Sequence, residues 1–189
     1  AKDYDAKLPW GKREHYALGR PLGKGAFSAV FEAVHIPSNK TYVVKVLNAL
    51  NRFRAVREID ISLRMRFHPS VVTLYDAFKT SDGKVALVLE HVEAVVPRKQ
   101  VMQKMNLENL RRYMYTLLHV LDHARKHGVL HRDLDLGNIL IEGHKNALFL
   151  ADWGASTFFS EEGHVCDVGA DGYRAPELLL GYPFYDYQV

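Results

Sequence analysis

The loop HRDLDLGN, from His131 to Asn138, places a carboxylate and an amide a few residues apart. Asp133 is suited to accept the proton of an attacking hydroxyl group. Asn138, together with Asp152 in the stretch ADWGA, offers the oxygen ligands that Mg²⁺ prefers. In-line phosphoryl transfer needs such a base and such metal ligands, so these residues predict that chemistry.

A lysine in an apolar run is the next candidate for a role in this chemistry. Lys45 lies within YVVKVL, where burying its charge is costly unless it has a partner. One interpretation is a lysine that reaches solvent from a strand edge. The other is a phosphate-binding lysine oriented by a carboxylate, and Glu58 in VREID is the candidate partner.

The glycine-rich stretch LGKGAFSAV contains Gly23 and Gly25, which allow the backbone to approach a phosphate closely. Alone this pattern is weak. A dinucleotide-binding fingerprint would have a third glycine and a helix, whereas here Ser28 takes the third position and a strand is predicted next. No Walker pattern is present either.

The elements that carry these residues differ between the two halves of the chain. Strands are predicted at 15–23, 28–35 and 41–48, and VVTLYDAFKT and KVALVLEHV flank the turn SDG as a hairpin. The stretch NRFRAVREIDISLRMRFH has the apolar spacing of a helix. The second half begins with a long helix, NLENLRRYMYTLLHVLDHARKHG, with Asn106 as N-cap and Gly128 as its end. Short strands, NILI and ALFLA, follow it, so the boundary between a β-rich and a helical lobe is predicted near residues 93–97.

Composition excludes several classes of protein. The chain has 189 residues and a net charge of +3, which gives no indication of nucleic-acid binding. No apolar run approaches membrane-spanning length, and the polar start is unlike a signal peptide. A single cysteine, Cys166, excludes an internal disulfide framework and suits a reducing compartment.

Six features follow one another along the chain: GKGAFSAV, Lys45, Glu58, HRDLDLGN, DWG and RAPE (Arg174 to Glu177). Their order and spacing are those of the eukaryotic protein kinase superfamily, which the chain resembles. Within this superfamily the chain is most similar to the catalytic (alpha) subunits of casein kinase II. The stretches that carry the similarity are WGKREHYAL, GKGAFSAVFEAV, EHV, DWG and YDYQV. The resemblance implies an α+β, bilobal fold with a β-rich N-lobe and an incomplete, mainly helical C-lobe. Its divisions would be an N-terminal segment at 1–14, the N-lobe at 15–93 and a partial C-lobe at 94–189.

The resemblance also implies roles for individual residues. Asp133, Lys45 and Glu58 would be catalytic, and Asn138 and Asp152 would bind Mg²⁺. Trp153 would hold the metal-binding loop inward. The nucleotide, ATP or alternatively GTP, would contact Leu22, Gly23, Lys24, Gly25, Ala26, Phe27, Ser28, Val30, Val43, Lys45, Glu90, Val92, Leu140 and Ala151.

Regulation and partners follow from the same resemblance. The family is constitutively active, with its N-terminal segment, here DYDAKLPWG, packed on the activation segment. Ser156, Thr157 and Ser160 are available for phosphorylation, although none is needed. A protein substrate, a regulatory β-type subunit on the N-lobe and a cytoplasmic or nuclear location are implied, with no nucleic acid or membrane.

Three features depart from the family pattern. Asp135 stands where serine/threonine kinases usually have a lysine that contacts the transferring phosphate, and Leu136 replaces a proline. Loss of one such preorganised donor typically lowers the rate by about 10²–10³-fold. We therefore expect impaired phosphoryl transfer, and we expect an Asp135→Lys variant to have a higher kcat. Asp167 and Asp171 stand where basic residues are expected, which weakens the expected preference for acidic peptides.

The third departure is the absence of the family's later helices after YDYQ, which makes the chain resemble a C-terminally truncated kinase. The family's arginine partner for Glu177 lies in that region, and the apolar tail ELLLGYPFYDY would lack cover. Asp135 and the missing helices favour an alternative, a pseudokinase or binding module that holds nucleotide or a partner without useful turnover. A zinc site at His119, His123 and His127, spaced on one helical face, is a further alternative.

Overall fold

The computed structural model describes residues 10–25, 27–48 and 52–188. The expected packing of the segment DYDAKLPWG falls largely on residues outside this part of the chain. The described chain divides into two compact units, residues 1–63 with 73–91 and residues 64–72 with 92–189. Residues 64–72, which the sequence analysis assigned to the N-lobe, are thus grouped with the second unit.

The first unit is built on a five-stranded antiparallel sheet with the strand order β1-β2-β3-β5-β4. A short 3-10 turn, Arg13–His15, leads into the first strand. The strands are β1 Tyr16–Lys24, β2 Ser28–His35, β3 Lys40–Leu47, β4 Leu74–Lys79 and β5 Val85–Glu90. A helix, α1 Arg52–Met65, connects β3 to the rest of the chain.

Successive side chains of each strand point to opposite faces of this sheet, and both faces carry apolar clusters. On one, Tyr16, Val44 and Phe78 form a buried cluster with neighbouring small and β-branched residues. On the other, Leu47 and Leu87 pack with residues of α1. Lys45 shares the second face because it is two residues from Leu47, so its side chain is directed to the side that the helix covers.

The second unit combines one long helix and two shorter ones with two small antiparallel ribbons. Its helices are α2 Arg98–Lys104, α3 Leu107–Lys126 and α4 Pro176–Leu179. Its strands are β6 Val129–Leu130, β7 Ile139–Glu142, β8 Ala147–Leu150 and β9 Thr157–Phe158, with β6 paired to β9 and β7 paired to β8. The predicted α+β class is confirmed.

The long helix α3 begins and ends where the sequence predicts. The Asn106 side chain accepts a hydrogen bond from the Asn109 N–H at 2.8 Å, which caps the first turn. Gly128 follows the last turn with a φ of +69°, a conformation that residues with a Cβ seldom adopt. Within the part of the chain that the structure describes, neither this helix nor another is long and apolar enough to span a bilayer.

Candidate functional site

Lys45 and Glu58 form a buried ion pair in the first unit. The Lys45 Nζ donates to the Glu58 carboxylate at 2.8 Å, and each residue is 6% exposed. The strand fixes the lysine and the second turn of α1 brings the carboxylate to it. A lysine held in this way presents a fixed positive charge, which is the property that binding a phosphate requires.

The candidate nucleotide-binding residues of this unit lie on three consecutive strands. Leu22, Gly23 and Lys24 end β1, Ser28 and Val30 begin β2, and Val43 lies on β3 beside Lys45. The Gly25 N–H donates to the Ser28 carbonyl at 2.8 Å, which closes the turn. A Cβ added to Gly23 would meet nothing within 4 Å, so the space beside this backbone is open for a ligand. Ala26 lies outside the described residues.

Four other residues predicted to contact nucleotide lie on a strand or close to the end of one. Glu90 ends β5, where its N–H donates to the Thr73 carbonyl at 2.8 Å and its carboxylate accepts the Thr73 N–H at 3.1 Å. Val92 is buried and begins the second unit. Leu140 lies on β7, and Ala151 directly follows β8.

Asp133, in the second unit, has its carboxylate held by two donors. One oxygen accepts the Ala170 N–H at 2.9 Å, and the other accepts the Asn138 amide at 3.0 Å. The group is half-buried, and this burial raises the pKa of the Asp133 carboxyl above its ordinary value, with the Asp135 charge adding to the effect. A carboxylate whose position is fixed and whose basicity is raised is suited to accept a proton.

Asn138 and Asp152 are suited to hold a magnesium ion. The Asn138 Nδ2 is used in hydrogen bonds to the Asp133 carbonyl and carboxylate, whereas its side-chain oxygen makes no hydrogen bond to the described residues. Asp152 accepts the Gly154 N–H at 3.0 Å and has a φ of +61°. An amide oxygen and a carboxylate form a donor set that fits Mg²⁺.

Arg132 is a candidate functional residue that sequence reasoning did not single out. Its φ of +65° is unusual for a residue with a Cβ, and such strain concentrates at active sites. Its guanidinium donates to the Ala155 carbonyl at 2.6 and 2.9 Å and to the Tyr185 hydroxyl at 3.0 Å. These bonds tie the catalytic loop to the segment that follows Asp152.

The activation segment also differs from the sequence-based expectation. Ser156 is 1% exposed and its hydroxyl donates to the His131 carbonyl, so it is not an accessible phosphorylation site, contrary to that expectation. Arg174 forms ion pairs with Asp167 at 3.2 Å and Asp171 at 3.4 Å. Its positive charge is therefore already engaged by two exposed aspartates.

The proposed zinc site at His119, His123 and His127 gains no support. The His119 ring instead shares a hydrogen bond of 2.8 Å with His68, and the His127 Nδ1 donates to the His123 carbonyl at 2.8 Å. In the described ranges, no cluster of three or more His, Cys, Asp or Glu side chains is arranged to hold a metal ion. His119 and His127 are exposed and His123 is half-buried, so these are surface and packing residues of α3.

Buried His131 should make stability depend on pH. Its Nδ1 accepts the Asp133 N–H at 3.3 Å, its ring lies edge-on to buried Trp153, and burial lowers its pKa from 6.5 to about 4. Between these two values the unfolded chain binds a proton that the folded chain does not, so stability falls as the pH decreases through this window. Since one pKa unit is about 1.4 kcal/mol, the full loss is about 3 kcal/mol.

Urea unfolding at a series of pH values between 7.5 and 4 measures this loss. The variant His131→Phe is expected to flatten the pH dependence, whereas the exposed His144→Gln is expected to leave it unchanged. A His131→Phe variant with the wild-type slope would contradict the assignment.

Comparison with protein families agrees with this geometry. The family model for the protein kinase domain matches residues 16–189, which is nearly all of the chain. Members of this family transfer a phosphoryl group from ATP to a protein hydroxyl, generally with Mg²⁺. The ion pair between β3 and α1, the oriented Asp133, and the oxygen ligands before β7 and after β8 are the parts that such transfer requires. The chain belongs to the protein kinase domain family.

Proposed function

We propose that this chain is a serine/threonine protein kinase of the casein kinase II type. It transfers the γ-phosphoryl group of ATP, or of GTP, to a serine or threonine hydroxyl of a protein. The observation that carries the proposal is the orientation of Asp133, whose two carboxylate oxygens accept hydrogen bonds from Ala170 and Asn138. The sequence resemblance supports the choice of acceptor and of subfamily.

Each group has a defined task in this proposal. Asp133 accepts the proton of the acceptor hydroxyl, and the cavity that it lines with Ala170, Tyr173 and Arg174 is the place for that side chain. Lys45, held by Glu58, binds nucleotide phosphates. Asn138 and Asp152 would hold Mg²⁺, which when bound neutralises charge on the phosphates.

Activity without phosphorylation of the activation segment is supported by Arg132. Its guanidinium already binds the Ala155 carbonyl and the Tyr185 hydroxyl, and Tyr185 in turn donates to the Val165 carbonyl at 2.6 Å. A phosphate is therefore not required to bring these segments together. This arrangement is consistent with constitutive activity.

A preference for acidic peptides is not part of the proposal. Arg174 is neutralised by Asp167 and Asp171, whose side chains are 88% and 97% exposed. Exposed carboxylates beside the acceptor cavity would repel acidic peptides and slow their encounter with the site. We do propose a β-type regulatory subunit on the five-stranded unit and a cytoplasmic or nuclear location, as the resemblance implies.

Nucleotide binding is expected to stabilise the protein. At a Mg²⁺-ATP concentration of 100 times Kd the gain is about 2.7 kcal/mol. For a chain of this size, that gain is expected to raise Tm by about 5–11 °C. Differential scanning fluorimetry with Mg²⁺-ATP, Mg²⁺-GTP and Mg²⁺ alone measures it. A Tm that no nucleotide changes would argue against a folded nucleotide site.

Peptides that differ only in the acceptor, serine, threonine or tyrosine, test the reaction itself. The proposal expects phosphate on the serine and threonine peptides. Nucleotide stabilisation with no transfer to any of them would instead support the pseudokinase alternative, which the charge at Asp135 favours.

A further inference from the structure

The Asp135 carboxylate is directed into its own loop. One of its oxygens accepts the backbone N–H of Gly137 in a short contact and that of Asn138 at 3.1 Å. The backbone of Asp135 adds two bonds, from its N–H to the Asp133 carbonyl at 3.1 Å and from the Asn138 N–H to its own carbonyl at 3.2 Å. The side chain thus caps the turn formed by residues 135–138.

This cap is linked directly to the candidate base. Asn138, whose N–H is bound by Asp135, donates from its side chain to the Asp133 carbonyl at 2.8 Å and to the Asp133 carboxylate at 3.0 Å. Asp135, Asn138 and Asp133 therefore form a closed set of hydrogen bonds. Moving the backbone of Asn138 would move the amide that orients the Asp133 carboxylate.

Gly137 has the space that this arrangement needs. A Cβ added there would lie 2.7 Å from the Asp135 carboxylate oxygen and 3.2 Å from a guanidinium nitrogen of Arg98. The first distance is too short for any side chain, so the carboxylate can lie over this backbone only because residue 137 is glycine. Asp135, Gly137 and Asn138 therefore form one capped turn together.

We propose that Asp135 is a positioning residue, whose side-chain oxygen caps the turn at residues 135–138 and through Asn138 orients Asp133. The oxygen acceptor is the required property, and the negative charge is not. This inference rests on the proposed kinase function. It reverses the expectation for lysine drawn from the sequence, because a lysine at this position supplies no acceptor.

Substitutions that separate the acceptor from the charge test the proposal in the full chain. Asp135→Asn keeps an acceptor and should retain most of kcat, within about threefold, whereas Asp135→Ala and Asp135→Lys should lower kcat by about 10- to 100-fold. Gly137→Ala keeps the charge but displaces the carboxylate, so it should lower kcat like Asp135→Ala. Asp82, whose carboxylate accepts the Thr80 hydroxyl in the exposed turn between β4 and β5, supplies the control, and Asp82→Ala should not change kcat.

Rescue by the conservative variant gives the readout that a general loss of structure would not produce, because Asp135→Asn keeps the acceptor and Asp135→Ala does not. Equal kcat values for Asp135→Asn and Asp135→Ala, or an Asp135→Lys variant faster than wild type, would overturn the proposal.

Amide hydrogen exchange keeps the test independent of turnover. The amides of Gly137 and Asn138 should be protected in the wild type and in Asp135→Asn, and should exchange faster in Asp135→Ala. A wild type that transfers no phosphate but shows this pattern would refute the proposed kinase function and leave the cap supported. Equal exchange in the three proteins would refute the cap itself.

Discussion

Replacing Asp133 with asparagine is expected to lower kcat by about 10²–10⁴-fold, the usual contribution of a positioned general base. The variant loses the group that accepts the proton, and it also disturbs the contacts that orient it. In the wild type both carboxylate oxygens accept hydrogen bonds, from the Ala170 N–H and the Asn138 amide. An asparagine has one oxygen, so one of these two donors would face an amide group instead.

The measurement is steady-state phosphate transfer to a serine peptide, with nucleotide affinity determined in parallel. Affinity for Mg²⁺-ATP should remain within about threefold, because Asp133 acts on the acceptor hydroxyl and not on the nucleotide. Asp82→Asn, the same chemical change at an exposed position in the β4–β5 turn, should leave kcat unaffected. Transfer by Asp133→Asn at the wild-type rate would remove Asp133 from the mechanism.

Breaking the Lys45–Glu58 pair is expected to cost stability as well as activity. Both residues are 6% exposed and joined at 2.8 Å. Removing one partner of a buried pair typically costs about 3–5 kcal/mol, since the remaining charge stays buried after losing that contact. We therefore expect Lys45→Met and Glu58→Leu each to lower the free energy of unfolding by about that amount.

The double variant Lys45→Met/Glu58→Leu separates the two effects. Replacing a buried pair by apolar residues of similar size is often neutral or stabilising, so its stability should return to within about 1–2 kcal/mol of wild type. Its transfer activity should stay low, because no amine remains to bind the phosphates. Denaturant unfolding of the four proteins forms a double-mutant cycle. A double variant less stable than both single variants would contradict this account of the pair.

Local signals in the sequence were sufficient to predict the longer helices and strands. Strong apolar periodicity with a capping asparagine and a terminal glycine located α3 to within two residues at its end. β-branched and aromatic residues between turn signals similarly located the strands of the first unit, and a lysine in an apolar strand implied a carboxylate partner. The structure finds such a partner in Glu58.

Features that depend on contacts distant in sequence were not predicted. The ribbon of β6 and β9 has two residues on each strand, too few for a periodic signal, and its pairing exists only in the folded unit. Helix α2 follows Pro97 with a mostly polar sequence, so its apolar face was not recognised. The role of Arg132 was missed because its partners, the Ala155 carbonyl and Tyr185, are far along the chain.

The sequence reveals the charge of Asp135 but not the contacts that its carboxylate makes. From the sequence, its negative charge was assessed only by its repulsion of a phosphate. In the structure the same carboxylate binds the N–H groups of Gly137 and Asn138. An aspartate followed two residues later by glycine is a turn signal, and it could have suggested this contact.

The most direct test of the central claim is mass spectrometry of a serine peptide after incubation with Mg²⁺-ATP and the wild-type chain, beside the Asp133→Asn variant. The account predicts a phosphoserine product that accumulates with time for the wild type and is reduced by at least about 10²-fold for the variant. A wild-type chain that binds nucleotide but yields no phosphopeptide, or a variant that yields as much as the wild type, would contradict it.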